Sequence, residues 1–282
     1  MRDTLPFDNL TLPDNAAHVW LARPPACDPA RLAARYLPLL SDDERARHRA
    51  LMREVDRHAY LTAHALQRLV LAGYTGVAPE QLRFQRGARG KPHPVLAPPH
   101  DTLSCNLSHT SGLVGCVVTR GRACGLDIET VRSMDDMDGV ADIVCSPAER
   151  ALLDRLPTAE RDRYFFSLWT LKEAYVKATG EGIGIDLTRV SFTLGAGAVA
   201  CRLGGAPADA DWQFQAGAPD AEHALAVALH RQLPRTPHPL LSDAHESARR
   251  GAPAYANATI TIREVRLDTA EPDTMASSSS TR

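Results

Sequence analysis

The stretch Tyr164 to Gly182, YFFSLWTLKEAYVKATGEG, constrains this chain more than any other. Tyr164, Leu168, Leu171 and Tyr175 recur at steps of three and four, which predicts a helix with one face buried against something. Gly180 and Gly182 predict its end, because a left-handed backbone is cheap only without a side chain. A second set, Trp169, Glu173 and Lys177, recurs at steps of four, with Lys172 at its edge. That spacing stacks a carboxylate and an ammonium beside an indole. On an exposed helix such a pair is ordinary and worth only a few tenths of a kcal/mol. Its meaning depends on what lies opposite.

The stretch GLDIE (125–129) supplies a candidate. As a strand it sends Leu126 and Ile128 to one face and Asp127 and Glu129 to the other. Two carboxylates then project side by side, their Cα atoms about 6.5–7 Å apart. A solvent-facing strand often looks like this. Glycoside cleavage fits poorly, since its two carboxyls flank the sugar bond from different directions. A magnesium ion fits better, because it takes one or two carboxylates, keeps waters and completes its shell with phosphate. If the helix packs on this strand, Glu173 adds a third oxygen and Lys177 reaches the same phosphate.

The rest of the chain mixes hairpin and helix signals without repeated βαβ units, so the expected class is α+β. Residues 1–16 read as a polar, proline-marked arm, loosely attached, and HVWLAR (18–23) as a short strand ended by prolines. From Ser41, an N-cap followed by acids at 42–44, a helical pattern runs to Ala72. Arg45, Arg47, Arg49, Arg53 and Arg57 enrich its first half, interrupted by Glu54 and Asp56; they form either a solvated face or a local phosphate site. RFQRGARGKPHPVL (83–96) is a basic turn and not a P-loop, because Pro92 follows Lys91 where a hydroxyl residue is required. LSCNLSHTSGLVGCVVT (103–119) predicts two strands around Ser111–Gly112, with GLDIE in a third. SMDDMDG (133–139) fails as a calcium loop, since Met134 and Cys145 fall at ligand positions. Ser146-Pro-x-Glu149 predicts a helix start with a capping box. RVSFTL, CRL, DWQFQA and HALAVALH predict the strands of a second sheet.

Composition narrows the function classes. Over 282 residues, 44% apolar and 23% charged, the net charge is −2, so no global field draws the chain to nucleic acid or a membrane. No signal-like or membrane-spanning run is present, and six cysteines show no metal spacing, which predicts a cytoplasmic protein with reduced thiols.

GLDIE followed by WTLKEAYVK resembles the paired signature of the large, Sfp-type 4′-phosphopantetheinyl transferases. GKP (90–92), NLSH (106–109) and Ser146-Pro-x-Glu149 follow in matching order, so the likeness spans Leu40 to Phe192. It implies two similar subdomains in a pseudo-twofold arrangement, with coenzyme A between them. The boundaries expected are 1–122, an N-terminal subdomain with its arm; 123–234, a C-terminal subdomain with the metal site; and 235–282, an appendage. Within the appendage 235–257 reads as linker, ATITIREVRL as an alternating segment and 270–282 as disordered.

The resemblance also implies roles. Asp127, Glu129 and Glu173 are magnesium ligands, Lys172 and Lys177 hold the coenzyme, with Lys177 on the pyrophosphate, and Glu173 or a water it orients takes the acceptor's proton. Ser108 and His109 contact the 3′-phosphate, Lys91 lies near the nucleotide, and Arg47 is a basic position on the first helix. Histidine at a strand end is otherwise commonly a structural, hydrogen-bonded residue. Glu44 stands where relatives carry a further basic residue, which lowers the charge of the 3′-phosphate site. The implied activity moves the 4′-phosphopantetheine arm of coenzyme A to a serine of an apo acyl or peptidyl carrier protein, in polyketide, nonribosomal peptide or fatty-acid synthesis. Adenosine 3′,5′-bisphosphate leaves, and the protein acts as a monomer. Two rivals are a magnesium-dependent nucleotide phosphohydrolase and a non-catalytic protein that binds coenzyme A or the carrier.

Overall fold

Two helices of equal length, each laid on a sheet, organise the molecule. A computed structural model describes residues 7–87, 89–195, 198–231 and 257–267. In the first half, strand β1 (Ala16–Ala22) leads to helices α1 (Pro29–Tyr36), α2 (Asp42–Ala50) and α3 (Glu54–Thr75). A hairpin of β2 (Arg83–Arg86) and β3 (Pro92–Val95) follows, then β4 (Leu103–Thr110) and β5 (Leu113–Arg120). In the second half, β6 (Cys124–Thr130) precedes α4 (Met137–Val144), α5 (Pro147–Leu153) and α6 (Thr158–Thr179). Then come β7 (Val190–Gly195), β8 (Ala198–Leu203), β9 (Ala206–Pro207), β10 (Trp212–Gly217) and β11 (His223–His230). Strand β12 (Thr259–Val265) returns to the first sheet, parallel to β1. The class is α+β, and the halves are alike in build, each with a 22-residue helix, α3 or α6, on its sheet.

The main sheets have strand orders β12-β1-β5-β4 and β10-β11-β6. They lie face to face, and this explains their sequences. Ala16, Trp20 and Ala22 of β1 join a core with Leu32 of α1 and Leu66 and Val70 of α3. The alternate residues, Ala17, Val19 and Leu21, instead pack with Leu126 and Ile128 of β6 and Leu225, Val227 and Leu229 of β11. A strand covered on both faces has no polar side to show, so β1, β5 and β11 are apolar nearly throughout. A third core sets Leu168 and Leu171 of α6 with Trp212 and Phe214 of β10.

Several elements differ from the sequence expectation. The helical pattern from Ser41 is two helices: Leu51 turns extended, with φ −70° and ψ 128°, and Arg57 Nη1 holds the break by donating to the carbonyls of Leu51 and Met52. The central helix starts at Thr158, after Pro157, and closes on Gly180 at φ 72°. The arm is not loose where it is described, because Phe7 and Leu12 are buried. Leu10 N also donates to Gly73 O at 3.0 Å, and a Cβ on Gly73 would stand 2.0 Å from Phe7 O. The basic turn at 83–96 is a paired hairpin, β2 on β3. The strands after α6 divide: β10 and β11 join β6, while β7, β8 and β9 form a separate sheet. The expected linker at 235–257, except for its last residue, and the tail at 270–282 lie outside the described residues. Among the described residues no helix is long and apolar enough to cross a membrane, and all six cysteines are buried, none of them in a disulfide.

Candidate active site

Strands β4 and β6 run beside each other where the two halves meet, without backbone pairing. Asn106 Oδ1, Ser108 Oγ and Thr110 Oγ1 instead accept from the amides of Leu126, Ile128 and Thr130 at 2.8, 3.1 and 3.3 Å. The partners are 20 residues apart in each case, so the strands are parallel and in step. Left unpaired, each buried amide would cost about 1–3 kcal/mol. The polar alternation at 106, 108 and 110 is the sequence signal for this joint, and only Ser108 was singled out from it.

The joint leads into the carboxylates. Gly125 brings β6 against α6: a Cβ there would lie 2.0 Å from Ala174 O and 2.6 Å from Ala178 N. That approach places Asp127 opposite Lys177, whose Nζ is 2.6 Å from Asp127 Oδ1. Ser108 Oγ donates to the same oxygen at 3.1 Å and accepts from Lys177 Nζ at 3.1 Å, besides the Ile128 amide. A hydroxyl offers one donor and two acceptor places, so Ser108 has none left. The 3′-phosphate contact expected of it does not come from its hydroxyl in this arrangement. Asp127 Oδ2 is buried and has no hydrogen-bond partner.

Glu129 and Glu173 line the same pocket as Asp127, with Trp169, His109 and Lys177. Burial raises both carboxyls above their ordinary pKa, and the Asp127 charge raises them further. Lys177 pulls both back, and Arg132 and the Trp169 indole also pull on Glu129. Crowded negative charge of this kind favours a cation. Among the described residues, however, no three carboxylate, imidazole or thiolate groups stand as a ready cation cage.

Glu173 and Lys177 also line an adjoining pocket, walled by Lys91, Asn106, Ile185 and Leu187. Lys91 reaches this wall, but its ammonium donates to Cys124 O at 3.1 Å and Ala178 O at 3.3 Å. Burial lowers its pKa. Arg89, passed over in the sequence, lines the pocket too and donates to Glu181 O at 3.0 Å.

His109 is solvent-exposed at the rim of the carboxylate pocket. The protein around its ring lowers its pKa, as do nearby His64 and Lys177, while Asp56 acts the other way. His64 lies against Tyr60, ring centroids 4.1 Å apart. The Tyr60 phenol is raised by burial and by Glu44, and lowered by Arg47, Arg86 and Arg68. Arg47 is exposed on α2 and lines neither pocket.

Two residues take other parts than expected. Lys172 does not enter the cleft. It is 0% exposed and its Nζ is 2.8 Å from Glu149 Oε2, so the helix turns it away from Glu173 and Lys177. Glu44 is not a lost cation site but a structural anion. It closes a capping box with Ser41 and accepts from Arg68 Nη2 at 2.7 Å, with His64 Nδ1 at 3.3 Å. Burial alone would raise its carboxyl, but the His64 and Ser41 bonds and the charges of Arg68 and His64 hold it at about 2.

Comparison with known proteins agrees with this layout. Residues 123–228 match the model of the 4′-phosphopantetheinyl transferase superfamily, and residues 28–120 that of 4′-phosphopantetheinyl transferase, N-terminal. The chain is 35% identical over 221 residues to 4′-phosphopantetheinyl transferase HetI of Nostoc sp. strain PCC 7120, covering 78% of this chain and 90% of HetI. It is 34% identical over 203 residues to a phosphopantetheinyl transferase of Thraustochytrium sp., with 67% and 70% coverage. Against 4′-phosphopantetheinyl transferase Sfp of Bacillus subtilis strain 168 the figures are 27% over 160 residues, 57% and 69%. Both halves of the chain thus match one family, and the chain belongs to the 4′-phosphopantetheinyl transferase superfamily.

Proposed function

We propose that this enzyme transfers the 4′-phosphopantetheine arm of coenzyme A to a serine hydroxyl of an apo carrier protein, releasing adenosine 3′,5′-bisphosphate. The observation that carries the proposal is the cluster of Asp127, Glu129, Glu173 and Lys177 around one pocket at the seam of the two halves. Breaking a pyrophosphate concentrates negative charge, and catalysis consists mainly of positioning and neutralising it.

The residues fit a magnesium ion. Their donors are hard carboxylate oxygens, as that ion prefers, and the buried Asp127 Oδ2 lacks a partner. Asp127, Glu129 and Glu173 would hold it. When bound, the ion supplies Lewis-acid neutralisation of phosphate charge. Lys177, 29% exposed and stacked one turn beyond Glu173, is the ammonium for the pyrophosphate. Glu173 has no ion pair among the described residues and faces both pockets, so its carboxylate can take the serine proton. His109 and Arg47 serve the 3′-phosphate, with Lys91 shaping the wall near the nucleotide.

We read the acceptor as a carrier domain of polyketide, nonribosomal peptide or fatty-acid synthesis, and the enzyme as a cytoplasmic monomer. The test is intact-mass spectrometry of an apo carrier protein incubated with the enzyme, coenzyme A and magnesium. A phosphopantetheine mass increase that needs all three supports the reading. Cleavage of coenzyme A without an acceptor would replace it with a phosphohydrolase.

A further inference from the structure

We propose that the buried Lys172–Glu149 pair is a positioning device that fixes one wall of the coenzyme cleft, without touching substrate. The proposal rests on the transferase reading above and adds a residue pair to it. Both side chains are enclosed, at 0% and 1% exposure. Lys172 Nζ donates to Glu149 Oε2 at 2.8 Å, to Leu187 O at 2.9 Å and to Val190 O. Its three protons are therefore all engaged. Glu149 is equally committed: Oε2 accepts from Ser146 N and Oε1 from Phe192 N, each at 2.6 Å.

These bonds join α5 and α6 to residues 187–192, the end of the segment that follows α6. That segment has left-handed glycines at 180 and 182, with φ 72° and 66°, and only short helical turns at Gly182–Gly184 and Leu187–Arg189. Gly182, Ile185 and Leu187 nonetheless line the cleft opposite Glu173 and Lys177. Leu187 does both jobs at once, with a cleft-lining position and a carbonyl on Lys172. Lys172 and Glu173 are adjacent on α6. One turn of helix thus presents Glu173 to the cleft and ties down the facing wall.

Stability alone is a weak reason for such a pair, since well-packed apolar residues often replace buried ion pairs without loss. An apolar pair would fill the space but leave the Leu187 and Val190 carbonyls without this donor. The consequence is a wall free to shift relative to Glu173.

The test compares wild type, Lys172→Met/Glu149→Leu and Glu149→Gln as full-length enzymes. The melting temperature, the KM for coenzyme A and kcat are measured with a saturating apo carrier, along with hydrogen exchange of residues 182–190. We expect the folded double variant to show a KM raised tenfold or more, kcat within threefold, and faster exchange in 182–190. Glu149→Gln keeps an acceptor for the Phe192 amide and should give a smaller change in the same direction. A folded variant with KM within twofold of wild type and unchanged exchange overturns the proposal, and so does a loss confined to kcat. If the double variant does not fold, Glu149→Gln decides by the same two readouts. Failure of the transferase reading itself would appear separately, as wild-type enzyme that does not modify the carrier.

Discussion

Glu149 has a counterpart in the first half, and its removal should be measurable in stability. Glu44→Gln takes the charge from a carboxylate that holds Arg68, itself 1% exposed. The carboxyl lies at about 2 against an ordinary 4.5. That difference of about 2.5 units, at ~1.36 kcal/mol each, corresponds to about 3.4 kcal/mol. Some of it is screened by solvent, which leaves about 2–3 kcal/mol. A second route agrees: breaking a buried pair costs about 3–5 kcal/mol, and Gln keeps an acceptor, which favours the lower end. At about 2–4 °C per kcal/mol for a chain of this size, the melting temperature should fall by about 5–10 °C at pH 7. The folded pKa is depressed, so the contribution is complete above 4.5 and lost as pH falls toward about 2. The gap between wild type and variant should therefore close on acidification. Calorimetric or fluorescence melting at pH 7, 4.5 and 3 reads it. A gap under 2 °C at pH 7, or one that does not narrow with acid, refutes the assignment of Glu44 as a structural anion.

Other outcomes follow from the cleft. Asp127→Ala should lower carrier modification at least a hundredfold while circular dichroism stays unchanged, with Glu173→Gln also severe; full turnover in a folded Asp127→Ala would end the metal assignment. Wild type should use dephospho-coenzyme A less well than coenzyme A by about one to two powers of ten, from a charge-assisted bond worth roughly 1.5–3 kcal/mol. In His109→Ala this kcat/KM ratio should shrink, and an unchanged ratio would make the histidine structural. Because the His109 pKa is lowered from 6.5, wild-type discrimination should strengthen as pH drops below 6.5, where the ring gains charge. Gly125→Ala should fail to accumulate as folded protein, since its Cβ would meet backbone 2.0 Å away; a melting temperature within 3 °C of wild type would show that β6 and α6 are not so closely apposed.

Local chemistry alone made much of the molecule legible. The N-cap at Ser41, the capping box at Ser146, the stop at Gly180 and the opposed faces of GLDIE depend on near neighbours and residue type, and all appear as read. So does the stack of Glu173 and Lys177, because helical period is a local property. The side of α6 on which Lys172 would act was a different matter. One residue before Glu173, it could point to the cleft or away, and only the packing of α5 and β7 put Glu149 beside it. Glu44 likewise needed Arg68, 24 residues on, to show that its charge is structural. The docking of Phe7 on α3, the side-chain ladder from β4 to β6 and the division of the later strands between two sheets have the same origin. Each depends on partners distant in sequence, and a chain's periodicity says which face is buried but not what will cover it.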